Sequence, residues 1–366
     1  MQNKTWIEIS KDKTAHNIRE IKSILTKKTK LYSVVKSNAY GHGIFLFSKL
    51  ADKLGVDGFC VDSVVEGLKL RKIGIKKPIL VLGPTLSNEF IKKATKNKIT
   101  ITASTFESLR AFAKFKNKPE FHLKIDTGMH RQGIYKEDLM KAIKIINENR
   151  LKITGYYTHF AAASHSIDSK FSNEQYAEFM EVQKIFQKNR FNHLTRHISN
   201  TGGTFLNEKY HFDLVRVGIG LYGLWPSENF KKKFHNKIPI KPILSWKSVI
   251  SEVKDLKKGD KIGYDLTETA KRNMTMAIVP VGYWHGIDKR FSRTTSLEVK
   301  NRRARILGSV SMDLIAIDVT GIRCKVGETV TIIGEKIRAD DLAKSAKTIN
   351  YEIVTRINPL IERILV

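Results

Sequence analysis

The sequence predicts an α/β chain of two parts: a (β/α)8 TIM barrel at the N-terminal side, followed by an all-β domain. Three observations predict it. At 366 residues the chain exceeds one ordinary domain. Over its first two-thirds, short apolar runs alternate with helical patterns, and no hairpin signal separates them. Beyond residue 241 the pattern changes to short β-type runs punctuated by turns.

Strands are expected at 31–36, 58–61, 79–82, 99–102, 121–125, 155–159, 195–199 and 213–217. Helical patterns lie between most of them, at 44–54, 64–73, 88–95, 105–115, 136–149 and 173–187. Alternation of this kind implies parallel strands joined by right-handed crossovers. Eight such units in this length suit a barrel of about 250 residues; a doubly wound sheet is the second choice. Residues 1–228 are assigned to the barrel. The polar, Lys-rich stretch 229–241 reads as a linker, and 242–366 as the β-strand domain. There, strands are expected at 243–253, 274–280, 296–299, 305–307, 314–319 and 329–333, with one helix at 339–347.

Composition narrows the function classes. Hydrophobic residues at 41% are enough for large cores, and 28% charged residues fit a globular chain. The formal net charge of +29 attracts anions and raises nucleic-acid binding as a possibility. The basic runs are short, however, and spread over the whole chain, which favours a Lys-rich solvated surface. The two cysteines, Cys60 and Cys324, form neither a disulfide framework nor a metal-ligand spacing. Residues 1–10 lack the apolar core of a secretion signal, and no run approaches the roughly 18 apolar residues of a membrane span. A cytoplasmic location with no membrane contact and no metal is expected.

The sharpest local signal is Val34-Val35-Lys36-Ser37-Asn38-Ala39-Tyr40-Gly41-His42-Gly43. A lysine ends an apolar strand, and in a barrel the C-terminal strand ends carry the catalytic groups. Apolar surroundings disfavour the charged amine and favour Schiff-base chemistry. Position alone leaves a solvated strand-end lysine as the commoner reading. Tyr40 and the bare backbone of Gly41 and Gly43 shift the balance, because a phenol and a glycine let a ligand approach closely.

This segment resembles the cofactor-lysine signature of the alanine racemase family, barrel enzymes that use pyridoxal 5'-phosphate. The resemblance implies that Lys36 carries the cofactor as a Schiff base and that Tyr40 contacts its phosphate. Further family segments follow in order along nearly the whole chain. In Lys124-Ile125-Asp126-Thr127-Gly128-Met129-His130-Arg131, Arg131 would bind the cofactor's phenolic oxygen and orient the substrate carboxylate. Lys124 matches a position that is carbamylated in some members; a buried Lys124–Asp126 ion pair is compatible with that reading. In Tyr157-Thr158-His159-Phe160-Ala161, His159 would stack near the pyridine ring without acting as an acid or base. In His197-Ile198-Ser199-Asn200-Thr201, Thr201 would bind phosphate beside Asn200, with a hydroxyl retained where the family more often has serine. His197 would hydrogen-bond the arginine that follows.

That arginine opens Arg216-Val217-Gly218-Ile219-Gly220-Leu221-Tyr222-Gly223. By resemblance Arg216 faces the pyridine nitrogen, and the Gly218 and Ile219 amides cradle phosphate. An arginine stays protonated, so it donates to that nitrogen and disfavours its protonation. The cofactor becomes a weaker electron sink, which favours reprotonation over transamination.

Racemisation needs a base on each face of Cα. Gly259-Asp260-Lys261-Ile262-Gly263-Tyr264 resembles the segment that carries the second base, so Tyr264 would act opposite Lys36, from a partner subunit of a homodimer. Ser309-Val310-Ser311-Met312-Asp313 resembles a carboxylate-binding segment with the Met312 amide as donor and Asp313 beside it. Val281-Gly282-Tyr283-Trp284-His285-Gly286 matches an entrance segment through Tyr283, but Trp284-His285 replace the usual Ala-Asp. Tyr351 in Tyr351-Glu352-Ile353 matches a phosphate-binding tyrosine. The family implies interconversion of L- and D-alanine, supplying D-alanine for peptidoglycan. Two other classes compete: a barrel decarboxylase of the same cofactor, against which Arg216 argues, and a non-catalytic cofactor- or RNA-binding module, supported only by net charge.

Overall fold

The computed structural model describes residues 4–163 and 170–366, so the first three residues of the 1–10 segment read above lie outside it. The chain divides into two compact units, one of residues 12–39 and 47–242 and one of residues up to 11, 40–46 and 243–366.

The first unit is a closed parallel barrel. Its strands are Lys30–Val34, Gly58–Val61, Ile79–Pro84, Thr100–Ala103, Glu120–Lys124, Lys152–Tyr157, Thr195–His197 and Leu214–Val217. From the first to the seventh, each pairs with the next in parallel, and the first pairs with the eighth. Between the seventh and eighth, Asp213 N–H donates to Arg196 O at 3.2 Å and Arg216 N–H to Ser199 O at 3.0 Å, which completes the ring. Phe59, Val61, Ile101, Leu123 and Val215 are fully buried and alternate along the strands with the inward-facing Cys60, Thr102, His122, Lys124 and Arg216. Strands covered on both faces read as near-continuous apolar runs, which is why they were legible.

Helix starts follow local capping. Ser63 accepts from Glu66 N–H, and Thr105 forms a reciprocal capping box with Ser108 ahead of helix Phe106–Ala113. The first strand ends at Val34, two residues before the expected end. Beyond it the backbone turns left-handed at four successive non-glycine residues, Ser37 (φ 54°), Asn38 (56°), Ala39 (52°) and Tyr40 (51°). Such a turn costs roughly 1–2 kcal/mol per residue. The Glu66 carboxylate helps hold it, accepting from Ser37 N–H and Asp62 N–H at 2.8 Å each.

The second unit is built on a nine-stranded sheet, in the order Glu252–Leu256, Met274–Val279, Ile315–Asp318, Arg302–Leu307, Ser296–Val299, Thr329–Ile333, Leu244–Val249, Thr5–Ile9, Glu362–Leu365. All its pairings are antiparallel except that of Thr5–Ile9 with Glu362–Leu365. Trp246, Val299, Ile306, Ile317 and Val330 form its core.

Three expectations are corrected. Residues 1–228 are not one barrel domain, because Thr5–Ile9 pairs edge to edge with Leu244–Val249 in the second sheet. The stretch 229–241 is not a bare linker. It belongs to the barrel unit and carries most of the helix Glu228–Phe234, which Ser227 caps and whose Phe230 and Phe234 are buried. The run 243–253 is two strands with different partners, separated at Ile250 and Ser251. Helix Asn350–Thr355, which holds Tyr351, was not anticipated. Among the described residues, no helix is long and apolar enough to cross a membrane, and no group of three or more His, Cys, Asp or Glu side chains is placed to hold a metal ion.

Candidate active site

At the C-terminal end of the barrel, strand register decides which side chains meet. Lys124 is aligned with Tyr157, and Tyr157 with His197, so three neighbouring strands contribute one level of side chains. One level deeper, His122 is aligned with Gly155, and Gly155 with Thr195. Lys36 follows the first strand and Arg216 lies on the eighth.

Arg216 is buried, and its guanidinium meets four acceptors. One nitrogen donates to His197 Nδ1. The other donates to Thr158 O at 2.9 Å and Ile198 O at 3.1 Å, and lies 3.3 Å from His159 Nδ1. Burial, then the Arg216 charge, pushes His122 down to about 3 and His197 well below the usual imidazole range. His159 is lowered by burial and by Lys124, Arg216, Arg131 and Lys36. These histidines are therefore neutral, as His197 and His159 must be to accept from an arginine. The Tyr157 ring stacks on His197 (4.6 Å between centroids, 8° between planes) and lies 4.5 Å from the Lys124 amine. Its hydroxyl contacts Thr102 at 3.0 Å, while Thr102 donates to Val81 O at 2.7 Å. Since the threonine proton is committed to Val81, the tyrosine is the donor.

Lys36 is part-exposed, and its Nζ lies 3.8 Å from Asp62 Oδ1. This carboxylate reaches the strand mouth from the end of the second strand, so the surroundings of Lys36 are not purely apolar as expected. Cys60, below it, is a buried thiol pushed up to about 12 by burial.

Across the mouth, Thr201 Oγ1 accepts from Gly218 N–H at 3.2 Å and lies 3.5 Å from Gly220 N. A Cβ at Gly220 would sit 2.8 Å from Thr201 Cγ2, so the two segments meet only because that residue is glycine. Asn200 caps the following turn by accepting from Gly203 N–H at 2.9 Å and lies 3.5 Å from His159 Nε2. Ile219 is buried in this corner. Pyridoxal phosphate requires an amine for its aldehyde, a donor for its ring nitrogen, and hydroxyl and amide donors for its phosphate. Lys36, Arg216, and Thr201 with the Gly218–Gly220 backbone are that donor set, so the residues present fit the cofactor.

Lys124 is buried, and burial together with Arg216 and Arg131 holds its amine well below the usual lysine range, against a smaller opposing effect of Asp126. The expected Lys124–Asp126 ion pair is not among the ion pairs of the described residues. Asp126 Oδ1 instead accepts three loop N–H groups, from Gly128 (3.0 Å), Met129 (2.9 Å) and His130 (3.1 Å). This carboxylate shapes the loop that presents the exposed Arg131.

The second unit holds the remaining candidates. Tyr40 and Tyr351 pair with ring centroids 6.1 Å apart. Gly41 beside them has φ 81°, and a Cβ there would fall 1.8 Å from Val354 O. Tyr283 and Met312 lie on two loops in close contact: Tyr283 N–H donates to Ser311 O at 3.0 Å and Trp284 N–H to Met312 O at 3.1 Å. Asp313 lies 3.8 Å from His285, whose Nδ1 accepts the Gly282 amide at 3.2 Å. Tyr264 begins a short turn and is 73% exposed; Trp284 is 57% exposed. Sequence reasoning missed His122, Gly155 and Asp62. The first had a usable signal, since it lies two residues before Lys124 on an inward-facing strand position.

Barrel, β-rich second unit and donor set together define a class, the barrel-fold enzymes that depend on pyridoxal phosphate. Comparison with known proteins makes the assignment specific. Residues 9–226 match the alanine racemase N-terminal domain and 243–365 the alanine racemase C-terminal domain. The chain belongs to the alanine racemase family. It is 39% identical to an alanine racemase of Leptospira interrogans, over 99% of this chain and 96% of that protein. With the alanine racemase of Halothermothrix orenii it shares 36% identity, over 98% and 96%. Among solved structures, alanine racemase of Clostridium difficile 630 superposes with a TM-score of 0.94 at 30% identity, covering 100% of this chain and 96% of that one. The Bacillus anthracis enzyme with bound L-Ala-P gives 0.92 at 31%, with the same coverage.

Proposed function

We propose that this chain interconverts L- and D-alanine, with Lys36 and Tyr264 as the two bases. The observation that carries the reading is Arg216. It is buried among neutral acceptors at the end of the eighth strand, with Lys36 at the end of the first. Both Lys36 and Arg216 would hold the cofactor, the first covalently and the second at its ring nitrogen. Thr201, Asn200, Gly218, Ile219, Tyr40 and Tyr351 would hold its phosphate, and His159 would pack against its ring. When bound, pyridoxal phosphate supplies the electron sink that lets the Cα proton leave. Arg131 and the Met312 amide orient the substrate carboxylate. Lys36 Nζ takes or delivers the proton on one face of Cα, and the Tyr264 phenolic oxygen does so on the other. Two-base exchange of this kind contributes about 10²–10⁴-fold per base.

Tyr264 would reach the site from a second copy of the chain, with the β-rich unit of one subunit serving the barrel of the other. Supporting this is a set of exposed apolar side chains on the second unit: Tyr264, Leu266, Tyr283, Trp284, Met312 and Leu314. Clusters of this kind mark association surfaces. The free thiols of Cys60 and Cys324 suit a reducing, cytoplasmic setting. A decarboxylase reading is disfavoured by Arg216, which would oppose protonation of the ring nitrogen.

The test pairs a spectrum with a substitution. Added cofactor gives an absorbance band near the visible edge that Lys36→Ala removes, and Tyr264→Phe retains the band but loses racemisation. Retained activity in Tyr264→Phe would overturn the assignment of the second base. An active species that sediments as a monomer would overturn the shared site. A panel of small amino acids, serine among them, fixes the substrate range.

A further inference from the structure

The two side-chain levels of the fifth to seventh barrel strands carry an interaction that runs diagonally. Direct register pairs His122 with Gly155, not with His197. Yet His122 Nδ1 lies 2.8 Å from His197 Nε2, with both rings buried. The contact crosses the position where residue 155 would carry a side chain. A Cβ on Gly155 would lie 2.8 Å from both Cε1 and Nε2 of His122 and 2.6 Å from Thr195 O.

We propose that His122 is a positioning residue for Arg216, acting through His197, and that position 155 is glycine because the Thr195 carbonyl and the His122 ring together occupy the space of its side chain. The proposal rests on the reading of Arg216 as the group that faces the cofactor's ring nitrogen. The proton count follows from one fact: a guanidinium only donates. His197 Nδ1 must therefore accept from Arg216, and the proton of the neutral ring sits on Nε2. That N–H points at His122 Nδ1, which must also accept, so the His122 proton sits on its own Nε2. One cation thus dictates both tautomers. Without an acceptor at position 122, the His197 Nε2–H is buried and unpaired. The ring regains a partner only by turning, and turning takes Nδ1 away from Arg216. Such a buried donor is costly to leave unmade.

The test uses the full-length, cofactor-loaded enzyme labelled with 15N at histidine. In the wild type, ring-nitrogen shifts place both protons on Nε2, and a scalar coupling joins His197 Nε2 to His122 Nδ1 across the hydrogen bond. A proton on Nδ1 of either ring overturns the proposal. His122→Phe and Gly155→Ala lose the coupling, and kcat falls about tenfold with the KM for alanine little changed, as loss of one such hydrogen bond implies. His122→Asn, whose side-chain oxygen falls near the place of Nδ1, restores most of that rate. A folded His122→Phe with full kcat, or a folded His122→Asn as impaired as His122→Phe, overturns it. If His122→Phe does not fold, the wild-type spectrum and His122→Asn still decide. A wild type without racemase activity refutes the proposed reaction and leaves the ring-proton assignment to be settled by the spectrum.

Discussion

Acidification from pH 7 to pH 5 should destabilise the barrel through its buried histidines, by an amount that follows from their proton count. His122 is pushed down to about 3 and His197 well below the ordinary range, by burial first and by Arg216 next, with Lys124 adding to the effect on His197. In the unfolded chain each titrates near 6.5. The folded-state value is depressed, so between the two values the unfolded chain binds more protons. The stabilisation is complete above about 6.5 and is lost as pH falls toward the folded value. Between pH 7 and 5 each such histidine costs about 1.9 kcal/mol, so the pair costs about 4 kcal/mol. Against total stabilities of about 5–15 kcal/mol this is a large fraction. His159, lowered well below the ordinary range by burial first, and His211 and His285, lowered by burial as well, steepen the same slope. The lowered carboxylates Asp213, Asp288 and Glu268 lose their contribution at lower pH, outside this window. Urea titrations at half-unit pH steps and fixed protein concentration give the proton uptake on unfolding as the slope of stability against pH. At least two protons are expected at pH 5. An uptake below one proton would mean that at least two of the rings of His122, His159 and His197 are charged in the folded chain, so that His122 or His197 carries a proton for which the Arg216–His197–His122 contacts leave no place.

Three other outcomes are expected. Arg216→Lys should lower kcat by about 10² or more, because one ammonium cannot span His197, Thr158 O and Ile198 O together; alanine racemisation followed by polarimetry measures it, and near wild-type turnover would refute the role. Lys124 presents a buried amine whose charged form is disfavoured by burial and by two arginines; its neutral form adds carbon dioxide to give a carbamate and a released proton. Incubation with 13C-bicarbonate should give a carbamate carbon signal that Lys124→Met abolishes, and no signal in the wild type refutes the modification. Gly41→Ala should destabilise the second unit by more than about 3 kcal/mol, read as a fall in Tm, because a Cβ would meet Val354 O at 1.8 Å at a φ of 81°; an unchanged Tm would refute the close approach.

The barrel was legible because its strands are buried on both faces and its helices are capped and periodic. The chemistry was legible where it sits in contiguous segments, such as Lys36 to Gly43 and Arg216 to Gly223. Three kinds of feature were not. Thr5–Ile9 reads as a strand only once its partners Leu244–Val249 and Glu362–Leu365 are known, since alternation over five residues does not name a sheet. The left-handed turn at Ser37–Tyr40 contains no glycine, so its sequence carries no conformational mark; what helps hold it is Glu66, distant in sequence. The His122–His197 contact depends on a diagonal between levels of the barrel and on an empty Cβ position at Gly155, neither of which a linear spacing records.

The company Arg216 keeps also bears on the choice between racemase and decarboxylase. Among the described residues it forms no ion pair, and all four of its acceptors are neutral, two backbone carbonyls and two imidazoles. A carboxylate in their place would bind the guanidinium more strongly, and would spend its field on that partner. Neutral acceptors fix the orientation of the cation while leaving its charge to act on whatever lies in front of it. The low basicity of the three histidines has the same origin, because their environment already contains the positive charge that their own protonation would add. A ring nitrogen held against this cation meets the same opposition to gaining a proton. A decarboxylation site needs the reverse, a carboxylate that keeps the ring protonated and the electron sink strong. The buried, carboxylate-free surroundings of Arg216 are thus a reason, independent of any overall resemblance, to assign this barrel to proton exchange at Cα.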